Sequence, residues 1–204
     1  MKGGLFVPGL IVLAVFAGCS GETGEQAPAA RSSSPAPVPS AVYEPVAMTH
    51  DWSSEPQLVQ VTHEQWRREL EAMHGRVVVV DNWATWCKPC IERFPAMLEL
   101  EEKWGPHGVM FVSLSLDDRD DPDSVAQVRD FLAEQDARIP NYLMDEIIPD
   151  AFEKLGLLGI PAVFIFDESG TMVHRLTGDD PNRQFTEEDV DKAVHALIGD
   201  QAIV

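Results

Sequence analysis

The sequence predicts one α/β domain that follows a signal segment and a linker. Three features of the sequence predict this fold class. From residue 58 onward, short apolar runs alternate with stretches of helical periodicity. Residues 77–80 form a continuous apolar run, which is typical of a strand buried on both faces. Residues 167–170, Asp-Glu-Ser-Gly, separate two β-prone runs and indicate a hairpin.

The elements can be placed in order along the chain. Thr62 and Gln65 form a predicted capping box, after which Trp66, Leu70 and Met73 share one helical face. The apolar run then predicts a central strand that ends near Trp83. The remaining elements are a helix to about residue 103, a strand at 109–116, a helix at 125–133, strands at 162–166 and 171–176, and a helix at 186–198.

The composition excludes several classes of protein. The chain has 204 residues, and its apolar content of 45% argues against wholesale disorder. Its net charge of −19 argues against a nucleic-acid partner, because phosphate contacts need clustered Lys and Arg. The three cysteines, Cys19, Cys87 and Cys90, are too few for a disulfide scaffold.

Residues 1–18 have the pattern of a secretory signal peptide, with Lys2 before an apolar run that is too short to span a bilayer. Residues 16–19, Phe-Ala-Gly-Cys, resemble the lipobox of bacterial lipoproteins, although Phe16 stands where Leu is usual. The resemblance implies cleavage before Cys19 and a diacylglycerol on its thiol. The alternatives are an ordinary signal peptide with an incidental Cys19, or an uncleaved anchor.

Residues 19–56 are predicted to be a linker between the lipidated cysteine and the domain at 57–204. The linker is rich in Ala, Pro, Ser, Gly and Glu, and its prolines argue against a helix. Its reach is roughly 30–60 Å, depending on its stiffness. Residues 50–52, His-Asp-Trp, are expected to be the first to touch the fold.

The cysteine pair is the main functional signal. Cys87 and Cys90 are separated by two residues at a predicted strand-to-helix junction, which indicates a redox-active pair. Cys87 lies where the helix N-terminus and the charge of Lys88 favour a thiolate, and Pro89 fits the first turn. Cys87 is therefore expected to attack a substrate disulfide and Cys90 to resolve the mixed disulfide.

The alternatives for this pair are a structural disulfide or half of a zinc site. Zinc would need further Cys or clustered His ligands. The histidines of this region are scattered along the sequence, at His63, His74, His107, His174 and His195. No metal and no cofactor are therefore predicted.

Residues 83–90, with the sequence WATWCKPC, resemble the active-site segment of the thioredoxin superfamily. Pro95 and the Gly-Ile-Pro of residues 159–161 match the family's helix proline and cis-proline loop. An insert at 109–145 and the Phe-Asp-x-x-Gly of 166–170 resemble the TlpA/ResA-type extracytoplasmic branch. The resemblance implies a thioredoxin-like fold, a central mixed β-sheet flanked by helices, with a helix–strand insert before the cis-proline loop.

Several residues are candidates to support the pair. Asp81 ends an apolar run, so a buried carboxylate with a raised pKa is expected there, which could accept a proton from Cys90. A solvated Asp at the strand end is the alternative. The resemblance implies a cis peptide before Pro161, which would let the Ile160 backbone pair with an extended substrate. Trp86, Lys88 and Pro89 are candidate substrate contacts.

Other polar residues near the motif are expected to be solvated. Glu92 and Arg93 follow the pair on the first turn of the helix. The acidic run at 117–123 lacks the spacing of an EF-hand calcium loop, so a solvated loop before a helix is the preferred interpretation.

These features predict a membrane-anchored thiol–disulfide oxidoreductase of the bacterial cell envelope, facing the periplasm in a cell with two membranes. Pro89 favours reduction, because strongly oxidising relatives often carry His there. The resemblance implies exported proteins such as apocytochrome c as substrates, and a membrane electron donor of the DsbD or CcdA type.

Two other functions are compatible with the sequence, and a third, a peroxidase, is disfavoured. An envelope dithiol oxidase would use the same cysteine pair. A peroxidase would need a Thr-x-x-Cys setting, which Thr85 and Cys87 do not provide. A non-catalytic lipoprotein binding module would keep the pair as a structural disulfide.

Overall fold

The structure is a computed structural model, and it describes residues 44–178 and 184–199. The predicted signal segment, Cys19 and most of the predicted linker lie outside the described residues. No helix in the described part of the chain is long and apolar enough to cross a bilayer.

The described residues form six strands and five α-helices in the order expected for an α/β domain. The strands are β1 Val59–Val61, β2 Val78–Trp83, β3 Met110–Ser115, β4 Asn141–Met144, β5 Ala162–Phe166 and β6 Met172–Thr177. The helices are α1 His63–Ala72, α2 Lys88–Trp104, α3 Pro122–Glu134, α4 Ile148–Leu155 and α5 Glu187–Ile198. A 3-10 turn at Gly105–His107 follows α2.

The strands form a single mixed sheet in the order β1-β4-β3-β2-β5-β6. The strands β1, β4, β3 and β2 run parallel to one another. β5 is antiparallel to β2, and β6 is antiparallel to β5. α3 and β4 lie between the active-site helix and β5, as the insert predicts. The predicted fold class is confirmed.

Both faces of the sheet are buried. On one face, Val78 and Val80 of β2 pack with Trp66 of α1 and Ala151 of α4. On the other face, Val79 packs with α2 and α5 residues such as Met97 and Val190 in one cluster. Trp83 packs with α2 and α3 residues in the neighbouring cluster, which contains the cysteines. β2 is therefore buried along its whole length, as its apolar run predicts.

Side-chain caps explain where several helices begin. Thr62 and Gln65 form the predicted capping box of α1, and Thr186 with Asp189 forms another at α5. α3 begins at Pro122, before its predicted start at residue 125, because Asp121 caps it and proline suits the first helical turn. The short helix α4 was not expected from the sequence. It ends at Gly156, whose φ of 65° suits glycine.

A segment of the predicted linker packs onto the sheet. Ala47 is 3% exposed and Trp52 is 8% exposed, and both belong to the cluster that α1 covers. The buried carboxylate of Glu69 accepts hydrogen bonds from the backbone N–H of Val46 at 2.9 Å and of Ala47 at 2.8 Å. It also accepts one from the Tyr142 hydroxyl at 2.9 Å. The packed part of the chain therefore begins before residue 57.

Glu69→Ala is expected to detach this segment and to lower the free energy of unfolding by about 2 kcal/mol or more, because buried donors lose their acceptor. Urea unfolding and hydrogen exchange at residues 46–52 would measure both effects. Glu71→Ala, an exposed change on the same helix, is the control and should stay within about 0.5 kcal/mol of the parent. Equal losses in the two variants would contradict this role for Glu69.

Candidate active site

The cysteine pair lies after β2, at the start of α2. Cys87 is the N-cap residue of α2, and no side chain caps this helix end. The backbone carbonyl of Cys87 accepts the first bonds of the helix, from the N–H groups of Cys90 at 3.0 Å and Ile91 at 3.1 Å. Pro89 lies in the first turn, where its missing N–H breaks no helical hydrogen bond. Cys87 is thus at the positive end of the helix dipole, which favours a thiolate on its sulfur.

Cys87 and Cys90 form a disulfide, and their Cα atoms are 5.3 Å apart. The two cysteines differ in access, since Cys87 is 5% exposed and Cys90 is fully buried. A reagent that arrives from solvent therefore meets Cys87 before Cys90. The pair therefore has an outer and an inner member, in the order that the sequence predicts.

Aromatic side chains form the wall behind the pair. The rings of Trp83, Phe94 and Phe131 lie about 5 Å apart, with centroid distances of 5.0, 5.0 and 5.1 Å. They belong to the same apolar cluster as both cysteines. Trp83, near which the central strand is predicted to end, is fully buried.

The outer rim of the pair carries exposed side chains. Trp86 is 55% exposed, and Lys88 and Pro89 are also exposed. The Lys88 ammonium lies 3.5 Å from Glu92, and both side chains are open to solvent, so this positive charge is partly screened. These three predicted contact residues lie together beside Cys87, and their contact with a substrate stays a prediction.

The loop before β5 completes the surroundings of the pair. The peptide between Ile160 and Pro161 is cis. Ile160 is half-buried and packs against the cluster that holds Cys87 and Cys90, whereas Pro161 is buried. The structure therefore brings Ile160 to the cluster that contains the cysteines, and the pairing of its backbone with a substrate stays a prediction.

Asp81 lies on β2, on the face that α2 covers. It is 3% exposed, and its Oδ1 accepts a hydrogen bond from Arg93 Nη2 at 2.6 Å. Burial raises the pKa of the Asp81 carboxyl above its ordinary value, and the Arg93 charge opposes part of this rise. The expected buried carboxylate is present, whereas its role in proton transfer stays a prediction.

The expectation that Arg93 is solvated is wrong. Arg93 is 7% exposed and forms a buried ion pair with Asp81. Arg93 follows Cys90 by three residues, and residues three apart share a helical face, so Arg93 points at the sheet as Cys90 does. That spacing was the signal in the sequence that could have placed it.

The expectation of a solvated acidic run fails at its first residue. Asp117 is 1% exposed, and its Oδ2 accepts the Thr85 N–H at 3.0 Å and the Ser115 hydroxyl at 2.8 Å. The Thr85 hydroxyl also donates to Asp117. Asp117 therefore holds the loop that leads into Cys87. Like Asp81, Asp117 directly follows a run of residues that is predicted to be a buried strand, which was the signal for burial.

The rest of the acidic run is surface, as expected, since residues 118, 120, 121 and 123 are exposed. Within residues 44–178 and 184–199, no group of three or more His, Cys, Asp or Glu side chains could hold a metal ion. Cys19, the predicted lipidation site, lies outside the described residues.

Comparison with known proteins agrees with this geometry. The family model described as Redoxin matches residues 22–194. The chain is 30% identical over 121 residues to the thiol-disulfide oxidoreductase ResA of Bacillus thuringiensis subsp. konkukian. It is 27% identical over 113 residues to ResA of Bacillus subtilis. These alignments cover 58% and 55% of this chain but only 65% and 59% of the two relatives.

Solved structures show the same fold. A Chlorobium tepidum protein with the provisional name thiol:disulfide interchange protein DsbE superposes with a TM-score of 0.53 at 26% identity. The match covers 64% of this chain and 85% of that protein. A thioredoxin family protein from Chlorobium tepidum TLS gives a TM-score of 0.50 at 24% identity, over 63% of this chain and 84% of its own.

Three observations agree with one another. The sheet is thioredoxin-like, the cysteine pair lies at the start of the helix after the central strand, and the family match covers most of the sequence. The chain belongs to the Redoxin family, within the thioredoxin superfamily and similar to its TlpA/ResA-type members.

Proposed function

We propose that this protein is a thiol–disulfide oxidoreductase that works through Cys87 and Cys90. One observation carries the proposal: the two cysteines form a disulfide at the N-terminus of α2, with Cys87 reachable from solvent and Cys90 buried beneath it. This arrangement separates an attacking thiol from a resolving thiol. The name of the ResA relatives, thiol-disulfide oxidoreductase, supports the same chemistry.

The reaction moves two electrons from the reduced pair to a substrate disulfide. The Cys87 thiolate attacks one substrate sulfur, the substrate S–S bond breaks, and the other substrate sulfur leaves as a thiolate. Cys90 then loses its proton and attacks Cys87, which breaks the mixed disulfide and releases the second substrate thiolate. The enzyme is left with the Cys87–Cys90 disulfide that the structure contains.

Asp81 is the proposed acceptor of the Cys90 proton. Cys90 is fully buried, so bulk water cannot readily take its proton. Asp81 is a buried carboxylate on the strand face that α2 covers. Ile160, beside the cysteines, is proposed to pair its backbone with the substrate, with Pro161 shaping the loop and Trp86 supplying apolar contact.

We propose reduction as the physiological direction, with exported proteins such as apocytochrome c as substrates. Pro89 supports this direction, because no imidazolium lies between the cysteines to stabilise the Cys87 thiolate further. The exposed Lys88–Glu92 pair supports it as well, since the one charge next to Cys87 is partly neutralised. A membrane protein of the DsbD or CcdA type is the proposed electron donor.

The site of action is proposed to be the extracytoplasmic face of a bacterial membrane. Residues 1–18 carry the signal-peptide pattern, and Cys19 is the proposed lipidation site. Acyl chains on Cys19 would hold the protein at about 0.8 kcal/mol per buried methylene. Residues 20–45, which precede the packed segment at Val46, would then be the tether.

Cys87→Ser is expected to abolish reduction of a protein disulfide, because the attacking thiolate is gone. Cys90→Ser is expected to accumulate a covalent complex with the substrate, since the resolving thiol is missing. Both outcomes are visible on non-reducing gels after incubation with an excess of oxidised substrate. Full turnover by either variant would refute the two-cysteine mechanism. Cys19→Ser in the same assay is the control and should behave like the parent.

The reduction potential of the Cys87–Cys90 couple tests the direction. A reductase is expected to have a potential near or below about −250 mV, in the range of thioredoxin rather than of the oxidising DsbA. Equilibration of a fragment from Glu44 onward against defined thiol buffers gives the value, and this start keeps the packed segment at Val46. A potential above about −180 mV would instead support the dithiol oxidase.

Lipidation of Cys19 is tested by expression of the full chain in a bacterial host. The parent is expected in the membrane fraction, with the mass of an acylated N-terminal peptide that begins at Cys19. Cys19→Ala removes the acceptor thiol and is expected to lose the modification. Recovery of the parent with an unmodified Cys19 would contradict the lipoprotein assignment.

A further inference from the structure

A buried ion pair joins Asp81 of β2 to Arg93, which shares the buried face of α2 with Cys90. Arg93 Nη2 donates to Asp81 Oδ1 at 2.6 Å, and the two side chains are 7% and 4% exposed. A pair that is buried this deeply is expensive to desolvate and is often replaceable by apolar residues without loss of stability. Stability is therefore a weak explanation for its presence beside the cysteines.

The fold directs Asp81 and Arg93 to the same place as Cys90. Cys90, Arg93, Phe94 and Met97 form the buried face of α2, with the spacing of successive helical turns. On β2, Asp81 alternates with Asn82 and so shares its face with Val79 and Trp83, which pack against that side of α2. The carboxylate thus lies between the strand and the helix face that carries Cys90.

The ion pair leaves one oxygen of Asp81 available. Arg93 bonds only Oδ1, and Oδ2 has no hydrogen-bond partner among the described residues. Arg93 Nε and Nη1 are likewise without a partner in that part of the chain. A fully engaged salt bridge would occupy both oxygens with two nitrogens. This single-bond geometry holds the carboxylate and leaves its second oxygen open to accept a proton.

The charges around Asp81 come from few groups. Its strand neighbours in the sheet are uncharged, Ser113 on β3 and Val163 on β5. Glu187 of α5 is the other charged group that acts on Asp81, and it disfavours a second negative charge. On the buried face of α2, Arg93 is the one charged side chain. Burial and Glu187 both raise the pKa of the Asp81 carboxyl, and Arg93 is the cation that opposes this rise.

Arg93 is itself held in place. Its guanidinium carbon lies 4.3 Å from the centre of the Phe185 ring, just before α5. Contact with an aromatic face stabilises a guanidinium while leaving its N–H groups in the ring plane free to bond. The cation is thus fixed between α2, β2 and the segment that leads into α5.

We infer that Arg93 is a positioning residue that keeps Asp81 ionised and oriented to take the proton of Cys90 when the mixed disulfide is resolved. The inference rests on the proposed function, because it assigns a role within that reaction. The Cys90 S–H bond breaks as the proton passes to Asp81 Oδ2, and the electron pair stays on sulfur. The new thiolate attacks Cys87, the bond to the substrate sulfur breaks, and Asp81 later returns the proton to solvent.

The two chemical steps can be separated with dithionitrobenzoate as the disulfide substrate. The reduced full chain, with Cys19→Ser to remove the third thiol, should release one thionitrobenzoate when Cys87 attacks and a second when Cys90 resolves. Absorbance at the thionitrobenzoate band follows both phases across a range of pH. Arg93→Gln removes the charge but keeps a polar side chain, and Arg93→Lys keeps the charge.

In Arg93→Gln the Asp81 carboxyl loses its cation and takes up a proton at higher pH. The rise of the second-phase rate with pH is therefore expected to move up by about one pH unit or more. At a pH on the rising limb of the parent's profile, that rate should fall by up to about tenfold, which is the change that one unit produces. The first phase should stay within about twofold, and Arg93→Lys should keep the parent's pH profile.

A double-mutant cycle distinguishes this role from a structural one. Asp81→Asn should abolish the rise of the second-phase rate with pH. The double variant Asp81→Asn with Arg93→Gln should be no slower in the second phase than Asp81→Asn alone, because Arg93 acts through Asp81. The inference is overturned if Arg93→Gln has the parent's profile, or if it slows the Asp81→Asn protein as much as it slows the parent. If Arg93→Gln does not fold, Arg93→Lys provides the test. A shift in the pH dependence of its second-phase rate would overturn the inference.

The proposed function has its own readout in this experiment. Two phases in the parent chain support a two-cysteine mechanism whatever the Arg93 variants do. A parent that releases no thionitrobenzoate in either phase overturns the proposed function. Urea unfolding of each variant confirms that the compared chains are folded.

Discussion

The burial of β2 on both faces is the constraint on which the rest of this molecule depends. All six residues of the strand are buried, and helices cover the sheet on either side. Any polar side chain on such a strand must find a partner inside the protein, because water cannot reach it. Asp81 is paired with Arg93, and Asn82 Nδ2 donates to the Ala162 carbonyl at 3.1 Å. The cysteines follow shortly after this strand and pack in a buried cluster with its last residue, Trp83.

Three buried carboxylates bind partners inside the protein, and two of them hold segments that are not regular structure. Asp117 holds the loop before Cys87 through Thr85, and Glu69 holds the backbone at Val46. Asp81 belongs to the same class but bonds a side-chain cation instead of backbone amides. A carboxylate that binds N–H groups fixes the path of the chain, whereas one that binds a single cation keeps a free oxygen for chemistry.

Much of the fold could be predicted from the sequence, because its strong signals are local. The apolar run of β2, the capping box at Thr62 and the turn at residues 167–170 each depend on neighbours in sequence. The position of the cysteine pair at a helix start is equally local. The burial of Arg93 and of Asp117 was missed, since a charged side chain is buried only when a distant residue supplies its partner. The segment at Val46 was assigned to the linker for the same reason, because Glu69 is far from it in sequence.

The attachment at Val46 also determines the direction from which the domain can be pulled. Ala47 and Trp52 pack on the sheet face that α1 covers, whereas α2 and the cysteines lie on the opposite face. A force on the chain before Val46 would act on the hydrogen bonds to Glu69 and on the packing of Trp52. These contacts would transmit the force to α1 and the sheet. The redox helix would carry none of that load directly. A domain held from this side would therefore present its cysteine pair away from the point of attachment.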